Sequence, residues 1–431
     1  MSTSSSQIEQ TAAVPRARWY RIGFLLFLIY LICFADRSNI GVAAPEMVQE
    51  LGLSGTVTGA LLSAFFWGYV VTQLPGGWLA SRIGPKRVIV GALTLVGLTG
   101  CLTGMVKDLP TLMAIRFVMG LAEGAVWPSF AVMFVNWFPS DERGRAVSFS
   151  QYALPIASVI MAPLAGWMIR EFHWRTMFVM QGVPALALAL IFGLIASEDP
   201  ATDRRLSDAE RDYILAGRSE AMVDEGRFAD VLRRPMVWGL CATYFLWITG
   251  MYAFGMWAPT LLKQMANFNM TTVGWLTALP YAFATLGMYL VSRAADRSTF
   301  SRGWYVSGAL LVAGLALLAQ HFLADSLTVS LAMLVITGVG IYSALGAWWS
   351  WALSNVPRNQ AGPAIGLINL FGNFGGICGP LIVGIAARGG KASEGLYLIG
   401  FALLLGSFVA LMLALRHRSG PQSGRMTHLM H

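Results

Sequence analysis

Apolar residues gather in twelve runs along the chain, separated by short polar segments. The runs fall at about 20–40, 56–80, 86–106, 110–134, 145–168, 174–196, 236–264, 271–293, 303–322, 326–353, 362–386 and 394–416. A helix of roughly 20 apolar residues crosses a hydrocarbon core about 30 Å thick, so each run predicts one membrane-spanning helix. One longer polar stretch, Glu198 to Arg234, divides them into six and six. The expectation is an all-α membrane protein of twelve transmembrane helices in two six-helix bundles. The predicted layout is an N-terminal tail over 1–19, a first bundle over 20–197, a linker over 198–235, a second bundle over 236–416 and a C-terminal tail over 417–431.

Two runs break their own apolar pattern. The stretch from Leu109 to Val135 contains Arg116 and Glu123, and Asp36-Arg37 lies near the end of the first run. A charge at membrane depth costs about 2.5–3.5 kcal/mol on insertion scales, so it usually faces a bundle interior or a wet cavity and marks a pathway. Arg116 and Glu123 are two helical turns apart, about 10.5 Å, and share one face. Gly120 and Gly124 lie on that face and allow a neighbouring helix to come close. These four charges are the candidate centre of the molecule. The plain alternative is that Asp36–Arg37 and Arg116–Glu123 only neutralise each other.

Composition narrows the class. Of 431 residues 56% are hydrophobic and 12% charged, with a mean hydropathy of +0.61, which excludes an ordinary soluble globule. The N-terminal tail leads into a run too long for a signal peptide, so no cleavable signal is expected. The net charge of +8 is no nucleic-acid signal, because the basic residues sit mostly in short loops. Arg82, Lys86 and Arg87 lie between runs two and three, Arg143 and Arg145 between four and five, and Arg293, Arg297 and Arg302 between eight and nine. The linker carries seven arginines, whereas Glu46, Glu50, Lys107, Asp108 and Lys263 mark the poorer opposite side. The positive-inside rule then puts both termini and the linker in the cytoplasm, although Arg170, Arg175, Arg388 and Lys391 dilute it. Cys33, Cys101, Cys241 and Cys378 have no metal-like spacing, so neither disulfide nor metal is expected. Within the linker, Ser207 and Glu210 fit a capping box ahead of a short surface helix.

Loop 2–3 reads Gly76-Gly77-Trp78-Leu79-Ala80-Ser81-Arg82-Ile83-Gly84-Pro85-Lys86-Arg87. It resembles the signature loop of the major facilitator superfamily, with Ser81 where that family usually has aspartate. The matching loop of the second bundle, Ser292-Arg293-Ala294-Ala295-Asp296-Arg297, keeps the acid. Further matches are Ala35-Asp36-Arg37, Gln73-Leu74-Pro75-Gly76-Gly77, Arg116…Glu123…Pro128, Trp137-Phe138-Pro139…Glu142-Arg143, Trp174-Arg175 and Asn369…Asn373-Phe374-Gly375-Gly376…Gly379-Pro380. Together they resemble the anion:cation symporter branch. That resemblance implies the major facilitator fold and a small organic anion as substrate, such as a sugar acid, a dicarboxylate or an aromatic acid. It also implies protons or sodium as coupling ion, with protons preferred. Arg82, Arg87, Asp296 and Arg297 then match gating positions, and Ser81 puts the usual ion pair of the first bundle in question.

Proton coupling needs a group that titrates at depth. All five histidines lie at helix ends or in the tail, which leaves Asp36 and Glu123. Arg37 and Arg116 suit an anion, because guanidinium grips carboxylate bidentately and stays charged. The resemblance assigns the same roles. The second bundle offers only polar and aromatic candidates: Tyr244, Trp247, Tyr252, Tyr281, Trp348, Trp349, Asn369 and Asn373. By resemblance Trp349, Asn369 and Tyr69 fall at substrate contacts, and Tyr244 stands where sugar-acid members often carry glutamine. Asn373 is favoured because a membrane amide needs a partner. Glycines and prolines in runs five and eleven serve either bending or packing.

The expected activity is therefore import of an organic anion with protons by alternating access. The alternatives are a proton antiporter exporting a drug or metabolite and a transporter-like sensor. Run five reads Ser158-Val-Ile-Met-Ala-Pro163-Leu-Ala-Gly166 without the Gly-Pro pair of antiporters, which favours import. No nucleotide loop or nucleophile–base set is present, so no enzyme and no cofactor are expected. The expected setting is the cell membrane, in particular a bacterial inner membrane, with the chain acting as a monomer.

Overall fold

The structure, a computed structural model, describes residues 16–218, 228–266, 268–298, 300–323, 326–357, 360–387 and 391–416. Arg388, His417, His428 and His431, most of both tails and linker residues 219–227 lie outside the described residues. The helices are α1 Phe24–Leu51, α2 Gly55–Ile83, α3 Pro85–Met105, α4 Leu109–Gly124, α5 Val126–Trp137, α6 Ser140–Gln151, α7 Ala153–Ile195 and α8 Asp208–Ala216. They continue with α9 Phe228–Leu232, α10 Pro235–Ala266, α11 Met270–Arg297, α12 Arg302–Phe322, α13 Leu327–Ser354, α14 Ala361–Ala386 and α15 Ala392–Arg416. Among the described residues there is no strand. Eleven helical segments among the described residues are long and apolar enough to cross a membrane. The α6–α7 segment supplies two crossings, because His173 turns the chain at φ 77 inside it. The twelve predicted spans are thus present.

Local chemistry sets the ends. Ser54, Asp108, Asn269 and Ser326 each accept a hydrogen bond from a backbone N–H of the first turn of α2, α4, α11 and α13. Gly52 closes α1 in the left-handed region at φ 62, where a Cβ would be strained. Gly84, at φ 97, separates α2 from α3, and the Glu198 carboxylate accepts from Lys86 N and Arg87 N at the start of α3.

Two boundaries differ from the apolar pattern. Run four is broken at Ala125, between α4 and α5. Pro128 has no N–H to return to the carbonyl of Gly124, which leaves the ladder open just after Glu123. Run five starts earlier than predicted, in the polar helix α6, and is broken at Tyr152. Hydropathy could not see a helix with so few apolar residues.

The linker also differs in detail. Ser207 Oγ caps α8 by accepting from Glu210 N at 3.3 Å. The side chain of Glu210 does not complete the capping box; it is fully buried and accepts from Arg18 Nη1 at 3.0 Å and from Arg18 N at 2.9 Å. Glu142 of α6 accepts from Arg18 Nε and Nη2, from Trp19 Nε1 and from the Tyr213 hydroxyl. The Arg18 hydrogen bonds hold the Glu142 carboxyl below its usual range. Linker residues 199–218 are therefore pinned to the first bundle, and α8 is a surface helix that buries Glu210 and Ile214 and exposes Asp208, Ala209, Asp212 and Ala216.

Helices α1–α7 form one half and α10–α15 the other. They meet along α2–α14, α7–α11 and α1–α10. A Cβ on Gly55 or Gly59 would strike backbone of α14 or the residue following it, one on Gly41 would strike Met256, and one on Gly166 or Gly274 would strike the facing helix of the α7–α11 pair. These approaches lie between mid-depth and the end away from the termini. That end is closed by backbone-to-backbone packing.

Candidate functional site

The four predicted charges come together at mid-depth in the first half, all at most 5% exposed. They do not pair as sequence neighbours. Arg37 Nη2 of α1 donates to Glu123 Oε1 of α4, an ion pair across two helices. Arg116 Nη1 donates to the backbone carbonyl of Asp36 at 3.3 Å and approaches the Met119 sulfur at the same distance. Among the described residues neither Asp36–Arg37 nor Arg116–Glu123 forms an ion pair; the partner of Glu123 is Arg37, on another helix.

Close approach makes the cluster. Gly120 and Gly124 on α4 press against the backbone of Phe65 and Tyr69 on α2, where any side chain would collide. The Tyr69 and Phe65 rings then lie beneath the Arg37 guanidinium, at 4.7 and 5.2 Å from their centroids. Arg116 also sits over Phe65, at 5.6 Å. Such contacts stabilise a desolvated cation by about 2 kcal/mol.

Several polar atoms of the cluster have no partner: Asp36 Oδ2, Arg37 Nε, Arg116 Nε and Nη2, and Glu123 Oε2. Three of these are donors and two acceptors. An unpartnered buried polar atom costs about 1–3 kcal/mol, more when charged. Such a site has unused capacity for both a carboxylate and a proton.

Among the described residues the second half contributes no charge here. Tyr252 of α10 accepts from Arg37 Nη1 at 2.8 Å, and its ring lies 4.4 Å from that of Phe66. Asn373 of α14 donates to Gln73 Oε1 at 3.0 Å and to the Asn369 carbonyl at 2.8 Å. Tyr244 is stacked on Trp348 at 5.1 Å and tilted against Trp349 at 5.5 Å. Asn369 and Trp349 are partly exposed. Tyr69, Arg37 and Tyr252 thus form one chain of contacts, while Gln73–Asn373 and the Tyr244–Trp348–Trp349 group form two further contacts between or within the halves.

The gating candidates are not brought together. Arg82 lies over Trp78 of its own helix, Arg87 Nη1 reaches the Ile83 carbonyl at 3.5 Å, and Asp296 pairs with Arg302 at 2.9 Å. Among the described residues no ion pair or hydrogen bond joins Arg82, Arg87, Asp296 or Arg297 to the opposite half. Ser81 bonds its own helix through the Trp78 carbonyl.

Sequence reasoning passed over Phe65, Phe66 and the Asn39–Gln181 pair, in which Asn39 Nδ2 donates to Gln181 Oε1 at 2.7 Å. Phe65 stands at i−4 from Tyr69, so the helical period could have placed it on the same face. Gln181 is an amide inside an apolar run, and the rule applied to Asn373 would have found it.

The family model described as Major Facilitator Superfamily matches residues 26–380 and 269–427. The chain is 31% identical over 426 residues to a protein assigned as a tartrate transporter in Agrobacterium vitis, covering 96% of this chain and 93% of the relative. It is 27% identical over 427 residues to the D-galactonate transporter of Escherichia coli O6:H1, covering 94% and 98%. Among solved structures, a bacterial homolog of the human lysosomal transporter Spinster, inward-facing and unoccupied, superposes with a TM-score of 0.75 at 18% identity, over 92% of this chain and 95% of that one. A D-xylose–proton symporter gives 0.70 at 16% identity, over 91% and 97%.

Proposed function

The chain belongs to the major facilitator superfamily, and from that premise we propose that it is a secondary transporter carrying a small carboxylate across the membrane together with a proton. The relatives named for tartrate and D-galactonate support a carboxylate cargo. The observation that carries the reading is the Arg37–Glu123 pair set against Arg116 and Asp36 in one buried cluster.

With both carboxylates ionised, the four charges sum to zero. One proton on Glu123 or Asp36 leaves a net positive cluster, and at low dielectric an uncompensated charge is costly. An incoming carboxylate restores neutrality. Protonating Glu123 also weakens its hold on Arg37, which frees a bidentate donor face for the anion, while Arg116 offers Nε and Nη2. Proton and anion thus each favour the other's arrival, and neither crosses cheaply alone. Tyr69, Tyr244, Trp349, Asn369 and Asn373 are the proposed walls of the substrate site. Arg82, Arg87, Asp296 and Arg297 are proposed to meet other partners when the end carrying the termini closes.

With the termini in the cytoplasm, the packed far end faces outward and the described state is closed to the outside. The membrane is proposed to be a bacterial inner membrane, and one chain holds both halves of the path. The test is uptake into proteoliposomes, with cargo chosen by a thermal-shift screen of tartrate, galactonate and benzoate-type acids. An inward proton gradient should drive concentrative uptake, and exchanging sodium for potassium should change the rate by less than about twofold. Uptake that follows the sodium gradient and ignores pH would refute the proton assignment.

A further inference from the structure

Arg37 is held from two sides. Its Nη2 arm engages Glu123 in its own half, and its Nη1 arm engages the Tyr252 hydroxyl in the other half. Tyr252 is 8% exposed and sits near the middle of α10. Its ring packs on Phe66 of α2, and Phe66 in turn fills the space that a side chain at Gly376 of α14 would need. One turn beyond Tyr252 on α10, Met256 backbone meets Gly41 of α1. A single phenol therefore touches the site's cation and Phe66 of the facing half, one turn before the Gly41–Met256 approach.

We propose that Tyr252 is a positioning residue through which the second half reads the state of Arg37, so that freeing Arg37 loosens the closed far end. While Arg37 is shared between Glu123 and Tyr252, the halves are tied at mid-depth by a hydrogen bond to a charged group. When a carboxylate takes over the guanidinium, or when a proton on Glu123 lets it swing, the geometry of that bond is lost. The seal is then left to Phe66, to Gln73–Asn373 and to the backbone contacts beyond them. Tyr252 touches no carboxylate and needs to move no proton; it acts only through Arg37. The inference rests on the alternating-access reading above.

The test measures the distance between spin labels at the far end, on Gln49→Cys in α1 and Lys391→Cys before α15, both exposed positions in opposite halves. The background carries serine at the four native cysteines, and the protein sits in lipid nanodiscs. Tyr252→Phe keeps the ring against Phe66 and removes only the hydroxyl. It should raise the ratio of open to closed far end by about tenfold, the scale of one hydrogen bond to a charged group. It should also flatten the dependence of that ratio on pH between 5 and 8. Phe66→Leu is the packing control: it should raise the open population but keep the pH dependence, since Arg37 still reaches Tyr252. A Tyr252→Phe distribution that superposes on the parent at every pH would overturn the inference while leaving transport intact. A parent distribution that responds to neither pH nor carboxylate would remove alternating access as proposed, and this inference with it.

Discussion

The two halves share a helical plan but divide the chemistry. The first half buries Asp36, Arg37, Arg116 and Glu123 at membrane depth. Among its described residues the second half brings phenols, indoles and amides to the same level, with its charges kept near helix ends. Packing follows the same division. Around the charges, glycines bring α2 and α4 backbone to backbone. In the second half Tyr244, Trp247, Trp348 and Trp351 form one aromatic mass, with Trp247 Nε1 donating to the Ile341 carbonyl at 2.8 Å. The lesson is that buried charge, which is costly at membrane depth, is concentrated in one half, and the proposed movement of the other half against it would carry no buried charge with it.

Variants can break this division. The largest effect is expected from the arginines. Arg37→Lys and Arg116→Lys keep the charge but lose the planar fork and its stacking on Phe65, so the apparent KM for carboxylate should rise by about a hundredfold at either site. Uptake kinetics in proteoliposomes check this, and an unchanged KM would make the arginine a scaffold only. In the second half Trp349→Leu removes one ring edge from the Tyr244 stack. A loss of about fivefold in kcat/KM is expected, in line with one aromatic contact. A loss as large as that of the arginines would erase the contrast between the halves.

Most of the fold was legible in the sequence because each span must be apolar for about 20 residues, and that demand leaves a plain pattern. Where helices carry polar residues or lose a hydrogen bond, the pattern thinned: the run predicted from 145 caught only the later part of α6, and the break at Ala125 went unseen. The charges were legible for the opposite reason, since each violates its surroundings. Their partners were not. Which carboxylate meets Arg37 depends on how closely Gly120 and Gly124 let α4 approach, and helix approach is a tertiary quantity. Glu210 teaches the same point. Local spacing marked it for the start of its own helix, but Arg18, nearly two hundred positions earlier in the chain, claims its carboxylate.

That junction, at the end carrying the N-terminus, provides the smallest effect, on stability and not on transport. Arg18 holds the Glu142 carboxyl below its usual range, so folding gains from this pair above the unfolded carboxylate range near pH 4.3. The gain is lost as pH falls through the lower, folded value. Glu142→Gln should therefore lower the melting temperature at pH 7, by an amount equivalent to about 1–2 kcal/mol, and the gap to the parent should close in strong acid. Thermal unfolding in detergent at pH 7 and below 4 checks the sign. A gap that widens in acid would contradict it.

The most direct measurement takes Glu123→Gln, a variant that carries a proton's worth of neutrality permanently. In proteoliposomes it should still exchange labelled for unlabelled carboxylate, at a rate independent of pH, yet accumulate nothing when a proton gradient is applied. Concentrative, pH-driven uptake equal to that of the parent would contradict the claim that the buried carboxylate beside Arg37 links the proton to the anion.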